Sequence, residues 1–257
     1  MSLTPRWLWA LQTALDVPEN KGRVVYQVAT IDTSLTPHVR SQVHRGFVIP
    51  RSSPSTPLLL TSSDVRAPKI AQMHISERVE VAWWMEGSQD QFRITGRARV
   101  VASPDTGLTN ILDPIGFQDE YRVLGMEALH HAGEDGEGNA GLGSDGAFDW
   151  EKKRQDIFEA MRPGMKATWC RPVAPGAVLS SYDDVLKWPK AVPYKHELTS
   201  EQDTRNYAIA LGNFAMVVLE PLRVDWVQMG EHPNRRTLFT RKHEGREVNW
   251  IEEILAP

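Results

Sequence analysis

Where apolar and polar residues alternate with a period of two along this chain, the pattern predicts strands. Arg78 to Met85 (RVEVAWWM) and Gln91 to Val101 (QFRITGRARVV) alternate on either side of a polar EGSQD turn, the signature of a β-hairpin. Arg23 to Ile31 and Pro37 to Ile49 are rich in β-branched residues and flank DTSLT, which predicts a second hairpin. Pro57 to Ser62 reads as a further strand, as do Asn213 to Met229, with Pro221 bending it, and Arg235 to Arg241. The helical period appears elsewhere. Pro5 to Leu15 puts Trp7, Leu8, Leu11 and Leu15 on one face, and Lys69 to Ser76 reads as a short helix. From about Gly116 the pattern is helical, breaks between Gly133 and Gly146, and resumes from Trp150 to Met161. Seven or so strands, early and late in the chain, predict a mainly β fold: one closed antiparallel barrel with a helical lobe. A single domain over residues 1–257 follows, with an insertion at 105–165 that carries a flexible glycine-rich loop at 133–146.

Composition narrows the function. With 257 residues, 41% of them hydrophobic, the chain can bury a sizeable core. A net charge of -4 argues against a nucleic-acid partner, so any anion site must be local. A single cysteine, Cys170, excludes an internal disulfide and a cysteine-rich metal site, and fits a reducing, cytoplasmic setting. No run approaches the ~18 apolar residues of a membrane span, so no membrane partner is expected. GEGNAG (Gly136 to Gly141) satisfies GxGxxG, but HHAGED precedes it and LGSDGAFDW follows, where a dinucleotide site needs a strand and a helix. Among the eight histidines, His38 and His44 lie six apart on a strand and His130 and His131 adjoin that loop; none has zinc-ligand spacing, so no metal is expected.

The stretch LLLTSSDVRAPKIAQMH, Leu58 to His74, carries more chemistry. An apolar strand ends at Thr61, Ser62 and Ser63 add hydroxyls, and Arg66 and Lys69 stand at the start of a helix. Hydroxyls, two cations and outward-pointing helix amides suit a phosphate. The alternative is that Asp64 caps the helix and both cations are solvated.

Four segments in order, VRSQVHRGF (Val39 to Phe47), LLLTSSDVRAPK, VEVAWWMEGSQDQFRITGRA (Val79 to Ala98) and PNRRTLF (Pro233 to Phe239), precede a terminal NWIEEILAP. Together they resemble the pyridoxamine 5'-phosphate oxidase family of FMN-binding split-barrel flavoproteins, and more closely its divergent branch of FMN-binding domains. The resemblance covers about residues 5 to 101 and 148 to 257 and implies an antiparallel split β-barrel with FMN as cofactor. It places the family's cofactor-binding residues at Arg40, Arg45 (a lysine in the family), Thr61, Arg66, Lys69 and Gln91, the last contacting the flavin. Arg40 and Arg45 are five apart, so either a bulge lies between them or they serve different parts of the site. Ala67 and Pro68 separate two cations that are adjacent in the better-known enzymes.

For the substrate, the resemblance implies Arg162 in MRPG, Lys166 near it, and Arg235 in the last segment. The family's tyrosine four residues before the Arg-Pro pair is Phe158 here, and its histidine two residues after the last arginine is Thr237. Substrate identity therefore does not transfer, and no catalytic residue is assigned. In the family, hydride passes from substrate to flavin N5 and oxygen reoxidises the flavin. The resemblance thus implies an FMN-dependent oxidoreductase acting on an unidentified small molecule as a homodimer; nine tryptophans are consistent with a large interface. The alternative is a non-catalytic carrier or sensor that holds flavin, or haem, on the same barrel.

Overall fold

The computed structural model describes residues 4–50, 55–106, 108, 126–129, 149–244 and 247–257. Among these residues ten strands form one antiparallel sheet: β1 (Val25–Ile31), β2 (Pro37–Val43), β3 (Phe47–Pro50), β4 (Leu58–Asp64), β5 (Arg78–Met85), β6 (Asp90–Val101), β7 (Met126–Leu129), β8 (Phe214–Gln228), β9 (Arg235–Glu244) and β10 (Glu247–Ile254). Their order is β2-β1-β5-β6-β8-β4-β3-β7, with β9 and β10 branching from the far end of β8. Both expected hairpins are present.

The expected closed ring is corrected to a split one. β2 and β3 are separate strands, divided at His44 to Gly46, where Gly46 has φ +112°. β2 pairs with β1 and β3 with β4, so this short break spans the split, held by Arg45 N to Leu60 O (2.7 Å) and Leu60 N to Gly46 O (2.9 Å). The left-handed backbone at Gly46 is one a residue with a Cβ adopts at a cost. A second distortion lies opposite Pro221, where the β6–β8 register shifts between Thr95 and Gly96. A Cβ on Gly96 would lie 2.3 Å from the Glu220 carbonyl oxygen, so the strand ends its QFRITG run on the one residue that fits.

Helix α1 (Arg6–Asp16) buries Trp7, Leu8, Ala10, Leu11 and Ala14 in the barrel core with Tyr26, Val28, Trp83 and Phe92. Trp83 is core and Trp84 surface, as the alternation of β5 requires. β4 is buried on both faces: Leu59 and Thr61 face the barrel interior, while Leu58 and Leu60 face a second core. Helices α3 (Trp150–Glu159), α4 (Pro163–Lys166) and α5 (Glu201–Asn213) form that second layer with Trp169 and Phe214. Arg154, 1% exposed, ties α3 to the end of α5 by donating to the carbonyls of Leu211 and Phe214.

Three elements depart from the sequence reading. Met126–Leu129, inside a stretch expected to be helical, pairs with β3 as a strand. Helix α5, not expected, starts at a Ser200 cap whose side chain accepts from Asp203 N; its buried side is only Tyr207 and Ala210, which gives a weak periodic signal. The terminal NWIEEI is strand β10, paired along β9. The glycine-rich loop at 133–146, with GEGNAG, His130 and His131, lies outside the described residues. No helix among the described residues is long and apolar enough to cross a membrane.

Candidate functional site

The split in the sheet sets the site's geometry. Arg40 sits opposite Val28 and Gln42 opposite Tyr26, so both project toward the barrel's inner face at the outermost strand, where helix α2 (Pro68–Ile75) closes over them. Pro68 stands at the first helical position, where its missing N–H costs nothing, and fixes where α2 starts. From α2 Lys69 and Gln72 reach toward β2. Arg40 donates to Gln72 Oε1 (2.8 Å), to the Thr30 hydroxyl and to His38 O (3.0 Å). The Gln42 amide is oriented by its neighbours: its nitrogen donates to Ser62 O (2.8 Å) and Thr61 Oγ1 (3.2 Å), and its oxygen accepts from Lys69 Nζ at 2.6 Å. Thr61 in turn donates to Val43 O at 2.8 Å.

Every acceptor just named is neutral. Burial and, after it, the Arg40 charge lower the Lys69 ammonium to about pKa 8, with Asp64 opposing in part. Burial also lowers Arg40. Two cations are held together here with their charge largely uncompensated.

Arg66 is arranged differently. Its Nε and Nη2 donate to the two carboxylate oxygens of Asp64 (2.9 and 2.7 Å), and its Nη1 donates to Arg171 O (2.9 Å). Three of its five N–H groups are therefore engaged internally, and two remain for a ligand. Asp64 does not cap α2, as the alternative reading had it: the cap position is Ala67, and Asp64 accepts from Arg66 N at 2.9 Å. Nor is Lys69 a solvated surface cation.

Arg45 and Arg40 serve different places, which resolves the choice left by their spacing. Arg45 lies in the break between β2 and β3 and donates to Ser62 Oγ at 3.2 Å; burial lowers its pKa. Gln91 is half-buried on the sheet's outer face, between Trp84 and Val227. The structure thus brings Arg40, Thr61 and Lys69 together, sets Arg45 and Arg66 beside them, and puts Gln91 on another face. Sequence reasoning missed Gln42 and Gln72. Gln42 stands two residues from Arg40 and Gln72 three from Lys69, so the strand and helix periods would each have placed a glutamine next to a cation.

The three residues expected to meet a substrate do not converge. Arg162 is exposed at the start of α4. Lys166 is 0% exposed, donating to Glu159 Oε2 at 2.8 Å with the rings of Tyr194, Phe158 and Tyr207 at 4.4, 5.1 and 5.8 Å from its Nζ. Lys166 packs on Phe158, which meets Phe214 at the start of β8, whereas Arg235 pairs with Gln228 at its end, 14 residues and roughly 45 Å of strand away. Arg235 is mostly exposed, 3.6 Å from Glu231. It borders a cavity of about 730 Å³ lined by Arg6, Trp9, Asp90, Trp226 and Thr237. Trp226 donates to Asp90 at 2.8 Å and stacks on Phe92, which fixes one wall.

Comparison with known proteins bears on the fold and on one segment of the chain. Residues 4–102 match the family model described as pyridoxamine 5'-phosphate oxidase, FMN-binding domain. No curated protein matches the sequence. A pyridoxamine 5'-phosphate oxidase-related, FMN-binding protein from Nostoc punctiforme has the same fold, with 18% identity, a TM-score of 0.64 and 100% of both chains covered. PhzG from Burkholderia lata, solved with tetrahydrophenazine-1-carboxylic acid, is 12% identical with a TM-score of 0.51, over 98% of this chain and 89% of that one. The residues expected to hold the cofactor, Arg40, Arg45, Thr61, Arg66, Lys69 and Gln91, fall inside the matched segment. Over residues 4–102 the chain is similar to the FMN-binding domain of the pyridoxamine 5'-phosphate oxidase family, it has that family's split-barrel fold, and FMN is the cofactor that the match supports.

Proposed function

We propose that this chain is an FMN-dependent oxidoreductase whose cofactor phosphate is held by Arg40 and Lys69, with Thr61 and the free N–H groups of Arg66 beside them. The observation that carries this reading is the pair of half-buried cations with only neutral acceptors, inside the segment that matches an FMN-binding domain. A phosphate carries up to two negative charges and would supply the compensation that the site lacks. FMN, when bound, supplies the redox chemistry. The residues hold and orient it: Arg40 and Lys69 fix the charged end and Arg45 is a third cation near it, while Gln91, on the sheet's outer face, would offer its amide donor and acceptor to the ring edge of the flavin held by a second copy.

In this reading the protein is a single split-barrel domain with its insertion at 105–165, in a reducing, cytoplasmic setting. It works as a homodimer. Val25 and Trp84 are exposed on the outer face beside Gln91, an apolar patch that a second copy would cover. The cavity beside Arg235 and Thr237 is the proposed substrate site, with Arg235 as its anion-binding group. Arg162 is a weaker candidate, and Lys166, buried and paired, is assigned to the packing of the lobe.

Phe158 is fully buried beneath Lys166 and could not replace the family's tyrosine even with a hydroxyl added, and Thr237 lacks an imidazole. Oxidation of pyridoxamine 5'-phosphate by flavin-loaded protein is therefore expected to be weak or absent beside a known oxidase; comparable turnover would contradict the assignment of these two positions. Anaerobic bleaching of bound flavin by candidate small-molecule donors tests the oxidoreductase reading. A flavin that no donor reduces would leave a carrier or sensor.

A further inference from the structure

The acceptors that hold Arg40 and Lys69 are the unusual feature of the site. A buried guanidinium or ammonium is ordinarily matched by a carboxylate, because an unpaired charge out of water is costly. Here the acceptors are two side-chain amides, a hydroxyl and the backbone carbonyls of Val28 and His38, all of them neutral. Gln72, 7% exposed, takes Arg40 Nη2 and the Thr30 hydroxyl on one oxygen, at 2.8 and 2.6 Å. Gln42, 5% exposed, takes Lys69 Nζ on its oxygen, while its nitrogen is anchored to Ser62 O and Thr61. The carboxylate on this side, Asp64, is held on both oxygens by Arg66. Glutamate has nearly the shape of glutamine and would reach the same cations, but it would cancel their charge.

We propose that Gln42 and Gln72 are specificity-determining residues of the anion site: their neutral amide oxygens fix the positions of Lys69 and Arg40 and leave the positive charge available to a phosphate ester. The inference rests on reading the cluster as the FMN phosphate site. It assigns these amides a positioning role, acting through the two cations. Asp64, already occupied by Arg66, is kept from neutralising Lys69, and the charges that face Lys69 are then Arg40 from β2 and the Asp64–Arg66 pair from the end of β4.

The test uses the full chain as Gln72→Glu, Gln42→Glu and Gln72→Met, titrated with FMN and with riboflavin, which lacks the phosphate. Each glutamate variant is expected to bind FMN roughly tenfold to a hundredfold more weakly, with riboflavin affinity unchanged and the melting temperature unchanged or raised, since a carboxylate would pair a buried cation. Gln72→Met, which removes the amide without adding charge, should weaken FMN less. In Gln42→Glu, Lys69 keeps its proton to higher pH, so the fall in FMN affinity above about pH 8 should begin later. If Gln72→Glu does not fold, Gln42→Glu, on a different element, carries the same test. Unchanged FMN affinity in the folded glutamate variants, or equal losses for FMN and riboflavin, would overturn the proposal. Should the unmodified protein bind neither flavin, the FMN reading fails by itself. Inorganic phosphate then decides the inference: a phosphate-induced rise in melting temperature that the glutamate variants lose supports it, and one that they keep, or none in the unmodified protein, overturns it.

Discussion

Two lysines that lie close to an Arg-Pro or Arg-x-Pro run, Lys69 and Lys166, end in opposite situations. Lys166 is enclosed: its Nζ donates to Glu159 Oε2 at 2.8 Å and three aromatic rings surround it. Lys69 is half-buried against an amide oxygen and another cation. The first is a closed structural joint between α3, α4, the Tyr194 segment and α5. The second is an open electrostatic demand. What separates them is the compensation each meets, which comes from residues distant in sequence. A cation becomes a candidate ligand when the fold brings it no counter-charge.

The largest effect should come from breaking the closed joint. Removing Glu159 as Glu159→Ala leaves Lys166 buried and unpaired, and a stability loss of about 3 kcal/mol is expected in chemical denaturation. Burial raises the Glu159 carboxyl, but its bonds to Lys166 and Tyr207 outweigh this and hold it below the usual range. FMN and riboflavin affinities of the folded fraction should stay equal to those of the unmodified protein. A selective loss of FMN would return Lys166 to the ligand site.

Next in size is Lys69→Ala, which removes a charge-assisted bond worth about 1.5–3 kcal/mol and should weaken FMN tenfold to a hundredfold while sparing riboflavin. Equal losses would make Lys69 structural.

The pH dependence follows from the same residue. Its folded value, about 8, lies below the ordinary ~10.4, so between these values the unfolded chain binds more protons and the free protein gains stability as pH rises. Phosphate binding restores the proton, so FMN affinity should fall up to tenfold per pH unit above about 8, until the bound-state pKa is passed. Riboflavin affinity should be flat. Titrations from pH 7 to 10 check both slopes, and parallel curves for the two ligands would contradict the assignment.

The smallest effect is expected for Arg66→Ala. Because Asp64 and Arg171 already engage it, its loss should cost about 1 kcal/mol, divided between FMN affinity and the stability of the turn. A hundredfold, FMN-selective loss would show that its two remaining N–H groups matter more than Lys69.

Much of the frame was legible in the sequence because it depends on local period. The alternation of β5 and β6 and the helical spacing of Trp7, Leu8 and Leu11 each report the side that faces the core. β4 was harder to interpret: LLLTSS is buried on both faces, so alternation cannot show which side faces the interior. Helix α5 was missed because only two of its side chains are buried. The site was legible as a set of positions and not as an arrangement. Arg40, Thr61 and Lys69 could be named from the family resemblance, but the pairing of Arg66 with Asp64 and the enclosure of Lys166 depend on contacts that spacing does not encode. Gln42 and Gln72 escaped notice because an amide beside a cation gains meaning only when no carboxylate replaces it.

The central claim is that the open pair of cations holds the phosphate of FMN. Equilibrium titration of the unmodified protein with FMN and with riboflavin, side by side at pH 7, tests it most directly. Two charge-assisted contacts predict that FMN binds at least a hundredfold more tightly than riboflavin. Equal affinities for the two ligands would contradict the account, because the phosphate would then contribute nothing at the site built to receive it.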